Sequence, residues 1–379
     1  MRTARQAFSC ARLVAGCAFA LGACGCAKGL STPTSAHDDA PRSVLGSGNG
    51  ADVVGGGATA TPARGAAAAH LPLILISDVD LPGRATRFDY QDIDTARGYL
   101  VIAHMNDNAV VVVKLSDGSL VKQFPGIPVA RGIAVADDVG RVFVTSMPSS
   151  LVILDNVALT EVGRATTGNG PDGDGWDPVH KIVAVSDQHD GAISLIAGSG
   201  SGTRVHVPLG TETGNVVFDS SRGCFWITVV TARPPNQLVA VDPVGAKVIT
   251  RIGLPGCNGA HGLRLHPDGR SAFAACEDND VLARVDLGGE HTVATAPTGA
   301  GPDVLSIDPG LGWLYVAAES GDLTVFDINK PGVVLIGHDK PGANSHTIAA
   351  DAASHRVFLP LMAGPKGTPV LRIMKPSGT

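Results

Sequence analysis

Asp89, Arg131, Asp172, Gly214, His261, Asp303 and His346 each open a polar-headed segment, and successive openings lie about 41–47 residues apart. A second set, His104, Met147, Asp187, Val229, Glu277, Glu319 and Met362, follows each opening across one turn. If the repeats close into a ring, the two sets form two layers around one axis. His261, Glu277, Asp303, Glu319, His346, Asp89 and His104 then gather on one side of it. Imidazoles among carboxylates in a confined mouth suit two kinds of chemistry, holding a divalent cation or moving protons between groups of mutually shifted pKa. His261, Glu277, Asp303 and His346 are therefore the expected metal ligands and the expected catalytic acids and bases. Asp89, His104, Arg131, Asp172 and Glu319 are expected to bind ligand, with Arg131 and Asp172 forming an ion pair or clamping an anionic group. The plainer expectation for any one of them is a solvated rim residue bonded to backbone amides and water.

The elements that must position these residues read as strands. Residues 261–287, HGLRLHPDGRSAFAACEDNDVLARVDL, run through a polar head, an apolar run, a Pro-Asp-Gly turn, an alternating run, an Asn/Asp turn and a further alternating run. Period-two alternation broken by turn residues marks half-buried antiparallel strands. Matching second strands are GYLVIAH, RVFVTSM, KIVAVSD, CFWITVV, SAFAACE, WLYVAAE and RVFLPLM, and third strands include LVILD, LVAVD, LARVD and LTVFD. Seven heads predict an all-β, seven-bladed β-propeller of four-stranded blades. The last unit lacks a fourth strand, and residues 71–83, LPLILISDVDLPG, can supply it, which closes the ring and removes an open edge.

Composition narrows the classes. A net charge of -6 with no Lys/Arg cluster excludes a nucleic-acid footprint. Residues 1–23 carry Arg2, Arg5 and Arg12 before an apolar run, the layout of an export signal, and Leu21-Gly22-Ala23-Cys24 resembles a bacterial lipobox. Acylated Cys24 would anchor the chain, with Gly25 directing it toward the outer membrane, so the expected location is the bacterial envelope, facing the periplasm or the exterior. Residues 24–70, rich in Ala, Gly, Ser, Thr and Pro, read as a flexible linker, and 71–379 as the propeller. Of seven cysteines, Cys257 and Cys276 flank two strands whose pairing brings them together, predicting a disulfide; Cys224 reads as a core side chain. CxxC pairs, HExxH, Gly-x-Ser-x-Gly, a phosphate loop and CxxCH are all missing. PDGDGWDP at 171–178 looks like a calcium loop but lacks the EF-hand's glycine and distal Glu, and reads as a loop leading into a strand.

Strands such as YLVIAH, RVFVTS and LYVAAE, with RFDY, AHGL, ACE, PDVLSIDPGLGWLYVAAESG and SHTIAAD, resemble the YVTN-type repeats of YncE-like bacterial exported propellers across all seven units. The resemblance implies a seven-bladed exported propeller. More distantly, HGL before a Pro-Asp-Gly turn is similar to lactonase-type propellers, some of which use a divalent metal. Two functions follow: a lipid-tethered module whose mouth binds a small-molecule ligand or whose rim docks an envelope protein, or a metal-dependent, lactonase-like hydrolase using the same His/carboxylate cluster. The fold alone does not choose between them.

Overall fold

Nearly every strand expected from alternation forms, because each buries one or both faces against a neighbouring sheet. The computed structural model describes residues 70–378 apart from Glu290. The expected signal (1–23), the linker (24–70, but for His70) and Cys24 lie outside the described residues. Among the described residues, twenty-eight strands make seven four-stranded antiparallel sheets. Blades 1 to 6 cover residues 91–125, 130–166, 171–208, 212–254, 260–297 and 302–339. Blade 7 combines 349–376 with the N-terminal strand Leu73–Asp80. The innermost strand of each blade packs on that of the next, and blade 7 (Ala349–Asp351) on blade 1 (Gln91–Asp94), so the ring is closed.

The closing seam pairs Leu73–Asp80 with Val370–Pro376, from Leu73 opposite Pro376 to Asp80 opposite Val370. Arg372 fastens it through two bonds to Asp78, at 2.8 and 2.7 Å. The second strands are buried on both faces. Val101, Val144, Tyr315 and Leu359, from blades 1, 2, 6 and 7, belong to one apolar cluster packed between sheets. The disulfide is present: Cys257 and Cys276 are bonded with Cα atoms 5.0 Å apart, closing a loop worth about 3 kcal/mol in the chain-entropy model. Cys224 is a buried free thiol whose pKa burial pushes up to about 11, consistent with a packing role. Residues 171–177, expected as a loop, are themselves the innermost strand of blade 3.

In blades 2 to 6 the innermost strand carries a β-bulge at its opening. Ala130 pairs with Ser146 and Ile133 with Val144, so three residue steps face two, and the same slip recurs at 171/174, 213/216, 260/263 and 302/305. A bulge re-aims the side chains it contains. The five heads from Arg131 to Asp303 all sit inside one. Convergence on the axis also presses neighbouring backbones together. A Cβ on Gly132 would overlap the Asp172 carbonyl oxygen, and one on Gly262 would overlap the Asp303 carbonyl oxygen. In blades 2 and 4 a second-strand hydroxyl holds the next head's carbonyl, Thr145 to Asp172 (2.6 Å) and Thr228 to His261 (2.5 Å). In blade 3 Ser186 holds the carbonyl of Thr213, one residue before the head Gly214 (2.9 Å).

Gly262→Ala is expected to wedge blades 5 and 6 apart and to destabilise by about 2 kcal/mol or more, since overpacking against backbone relaxes poorly. Urea unfolding checks this; an unchanged midpoint would show that the two strands can separate without penalty.

Candidate functional site: the channel mouth

The bulged heads of blades 3, 5 and 6 meet residues of blade 1 in a hydrogen-bonded network that crosses the axis. Tyr90, next to the head of blade 1, spans the channel: its hydroxyl donates to Asp172 Oδ2 of blade 3 (3.3 Å) and lies 3.1 Å from His261 Nε2 of blade 5. His261 Nε2 is in turn 3.4 Å from Asp172 Oδ2 and 3.5 Å from Asp303 Oδ1. Arg131 Nη1 contacts Asp172 Oδ1 (3.4 Å) and donates to Gln188 Oε1 (3.0 Å), whose amide donates to Glu212 (2.8 Å). On the other side, Arg87 grips Glu319 through two bonds of 2.8 and 2.6 Å and lies 3.9 Å from Asp303. Arg131 and Asp172 thus form the expected ion pair. Asp89, His261, Asp303, Glu319 and His346 gather on the expected side, and Tyr90 extends the network across the opening to Asp172 of blade 3.

Burial sets the charge states. Desolvation pushes Asp89 up to about 7, with Arg87 opposing and Asp172 reinforcing the shift. Asp303 is raised as well, first by burial, while His261 works against it. Burial pulls on His261 in the opposite sense, but the Asp172 and Asp303 carboxylates overcome it and lift the imidazole to about 9. His346 goes the other way. Buried completely and facing the Arg87 charge, its pKa falls to about 4 against the pull of Glu319 and of nearby backbone groups of Asn344 and Phe88, with which neither ring nitrogen makes a well-formed hydrogen bond.

Among the described residues, the group of donors able to meet at one point is Asp89, Asp303 and His346, whose ligand atoms lie within 4.8 Å of one another. The expected set of His261, Glu277, Asp303 and His346 is corrected in two members. His261 is spent on Tyr90 and two carboxylates, and Glu277 is half-buried at the start of a 3₁₀ turn, with its pKa raised by burial. Asp89 takes their place. The donors fit a cation: a neutral imidazole beside two carboxylates is a mixed N/O set of the kind zinc or manganese accepts.

His104 is corrected too. It ends its strand with the side chain turned away from the channel, fully buried, its ring stacked on Phe88 at 4.0 Å and its Nε2 3.1 Å from the Thr86 hydroxyl. The slip is one residue. Ser146, Asp187, Cys276 and Ala318 end second strands as His104 does, so the mouth-facing layer begins one residue later, with Met105, Gln188, Glu277 and Glu319. In a pleated strand one residue reverses the side. Asp187 consequently faces the blade interior, bonded to Ser194 (2.6 Å) and the Gly168 amide (2.7 Å). Sequence reasoning missed Tyr90, Arg87, Gln188 and Glu212. Alignment of the heads carried a signal for Tyr90, which stands where blades 2, 3 and 5 have Gly132, Gly173 and Gly262.

Burial raises Asp187 to about 6. A raised folded-state pKa means that the folded protein holds the proton more tightly than the unfolded chain, so this contribution is full below about pH 4 and is lost as pH rises through 6. Stability should fall between pH 4.5 and pH 7, and Asp187→Asn should remove on the order of 2 kcal/mol of that fall. Urea midpoints at the two pH values check it; an equal fall in the variant would rule Asp187 out as its source.

No protein-family model and no curated protein matches the chain. Among solved structures it is similar to a chain of Kuenenia stuttgartiensis hydrazine synthase, with a TM-score of 0.65 and 15% identity over 78% of this chain and 97% of that one. At this identity the likeness speaks for architecture alone, and together with the seven closed sheets it makes the chain a seven-bladed β-propeller.

Proposed function

We propose that the protein is a binding module of the YVTN-type exported propellers, whose channel mouth captures a small ligand through a divalent cation held by Asp89, Asp303 and His346. The observation that carries this is the meeting of Asp89, Asp303 and His346: three buried donors whose ligand atoms lie within 4.8 Å of one another, with an imidazole that burial and the Arg87 charge keep neutral. Glu319 takes the paired bonds of Arg87, while Asp303, 3.9 Å away, and Asp89 also feel its charge, so a bound cation would share these two carboxylates with Arg87. Such an ion would offer a ligand's oxygen or nitrogen a point of attachment. Arg131 and Tyr90 would orient the rest, in a mouth with fixed walls.

A second reading, a metal-dependent hydrolase of a lactone or similar ester, is favoured by His261. Its raised pKa keeps the ring protonated at neutral pH, 3.5 Å from Asp303, which suits a general acid.

Calorimetry with zinc or manganese on the purified full chain is expected to show one site. His346→Ala or Asp303→Asn should weaken it at least tenfold, and absence of stoichiometric binding would dismiss the proposal. Lactone turnover abolished by chelator and restored by metal would select the second reading; no turnover with the site filled would leave the binding module.

Export and acylation at Cys24 belong to the same proposal, supported by the lipobox-like Leu21–Cys24 tetrapeptide and the arginines ahead of it. Cys24→Ser is expected to move the protein from the membrane fraction to the soluble one. A variant that stays with the membrane would refute lipid attachment.

A further inference from the structure

Beyond Tyr90, at the end of the channel opposite the mouth, the innermost strands enclose a cavity of about 410 Å³. A second space of about 340 Å³ adjoins it and shares Gln91, Asp92 and Arg264 with it. Neither holds a residue expected to bind, yet the polar groups there are left in an unusual condition. Asp174 has both carboxylate oxygens buried and without a hydrogen-bond partner. Asn215 is 3% exposed and its amide nitrogen donates to nothing; Gln91 is also 3% exposed and its amide oxygen accepts nothing. Arg264, half-buried, donates to the Leu263 carbonyl (3.0 Å), and among the described residues no carboxylate lies at ion-pair distance from it. Asp92, the nearest acid on blade 1, is already taken by the amides of Ile93 and Val135, at 2.8 and 2.9 Å.

Asp174 and Arg264 line one cavity without pairing with each other, and burial pushes the Asp174 carboxyl well above the usual carboxylate range and the Arg264 guanidinium below its own, a cost that a ligand bringing the complementary charge to each would offset. The unmet groups divide by type. Arg264 and the Asn215 amide nitrogen are donors seeking an anion, whereas Asp174 and the Gln91 amide oxygen are acceptors seeking a cation. Ile133, Val217 and Phe218 give the same cavity an apolar wall.

We propose that this inner end of the channel is a second binding site, for a small zwitterion of the free α-amino acid class. The ligand's carboxylate is held by Arg264 and Asn215, its ammonium by Asp174 and Gln91, and its side chain lies on the apolar wall. Both charges of the ligand replace water with fixed partners, and each orphaned protein group gains one. The mouth is a separate site with its own donors, so the two can be filled independently.

Calorimetry at pH 7 on the full chain, with glycine, L-alanine and L-valine as probes and isobutylamine and isovalerate as single-charge controls, tests this. At least one amino acid is expected to bind one to one, with each control tenfold weaker or worse. Asp174→Asn should cost the amino acid at least tenfold and leave isovalerate unaffected; Arg264→Gln should likewise cost the amino acid at least tenfold and leave isobutylamine unaffected. Because the Asp174 carboxyl has no partner to lose, Asp174→Asn should melt at or above the wild-type temperature, and zinc binding at the mouth should persist in both variants, which separates a lost site from a lost fold. Failure of all three amino acids to bind, controls binding as tightly as the amino acids, or variants indistinguishable from wild type would each overturn the proposal. Zinc binding without amino acid binding would sink this inference alone, and the converse would sink the reading of the mouth alone.

Discussion

Seven innermost strands can share one axis only if their backbones nearly touch, and this crowding governs the rest of the molecule. It leaves no room for a Cβ at Gly132 or Gly262. It also makes the strands slip by a residue at their openings, so that the heads point inward. Carboxylates and imidazoles crowded around the axis lose their water together, and this shared desolvation moves Asp89 toward 7 and His346 toward 4. The same crowding lets Tyr90 span the opening. Its ring also lines the cavity beyond, so one side chain belongs to both compartments.

Charge is arranged differently at the two levels. At the mouth most charges are already paired: Arg87 with Glu319, Arg131 with Asp172, His261 between two aspartates. Pairing of this kind fixes geometry more than it stabilises, because burying the partners offsets most of their attraction. The members left out of the pairing, His346 above all, are the chemically available ones. Deeper in the channel the pairing is absent, and the cost falls on Asp174, Arg264 and Asn215. A fold that keeps such costs generally recovers them in function.

The architecture was legible because it is written many times over. Alternation and turn residues recur seven times, so the blades, their number, the closing strand and the Cys257–Cys276 bond could all be read from spacing. The site was legible only in part. The heads could be found, since they hold one position in every repeat. Which way the second layer faced could not, because His104 and Met105 differ by one step of the pleat and both are plausible at a rim. Cross-axis contacts such as Tyr90 to His261 depend on side-chain reach rather than on any local pattern. The inner cavity was hidden more deeply still, its residues lying in strands whose alternation reads as ordinary core.

The seam of blade 7 has a mechanical corollary. Leu73 lies opposite Pro376, so the two chain ends emerge at the same end of one antiparallel strand pair. Tension applied between them loads the ladder one rung at a time, as in an opening zipper, rather than dragging all rungs in parallel. A ring that resists heat through its many buried contacts would therefore yield first, under a pull, at a single modest link.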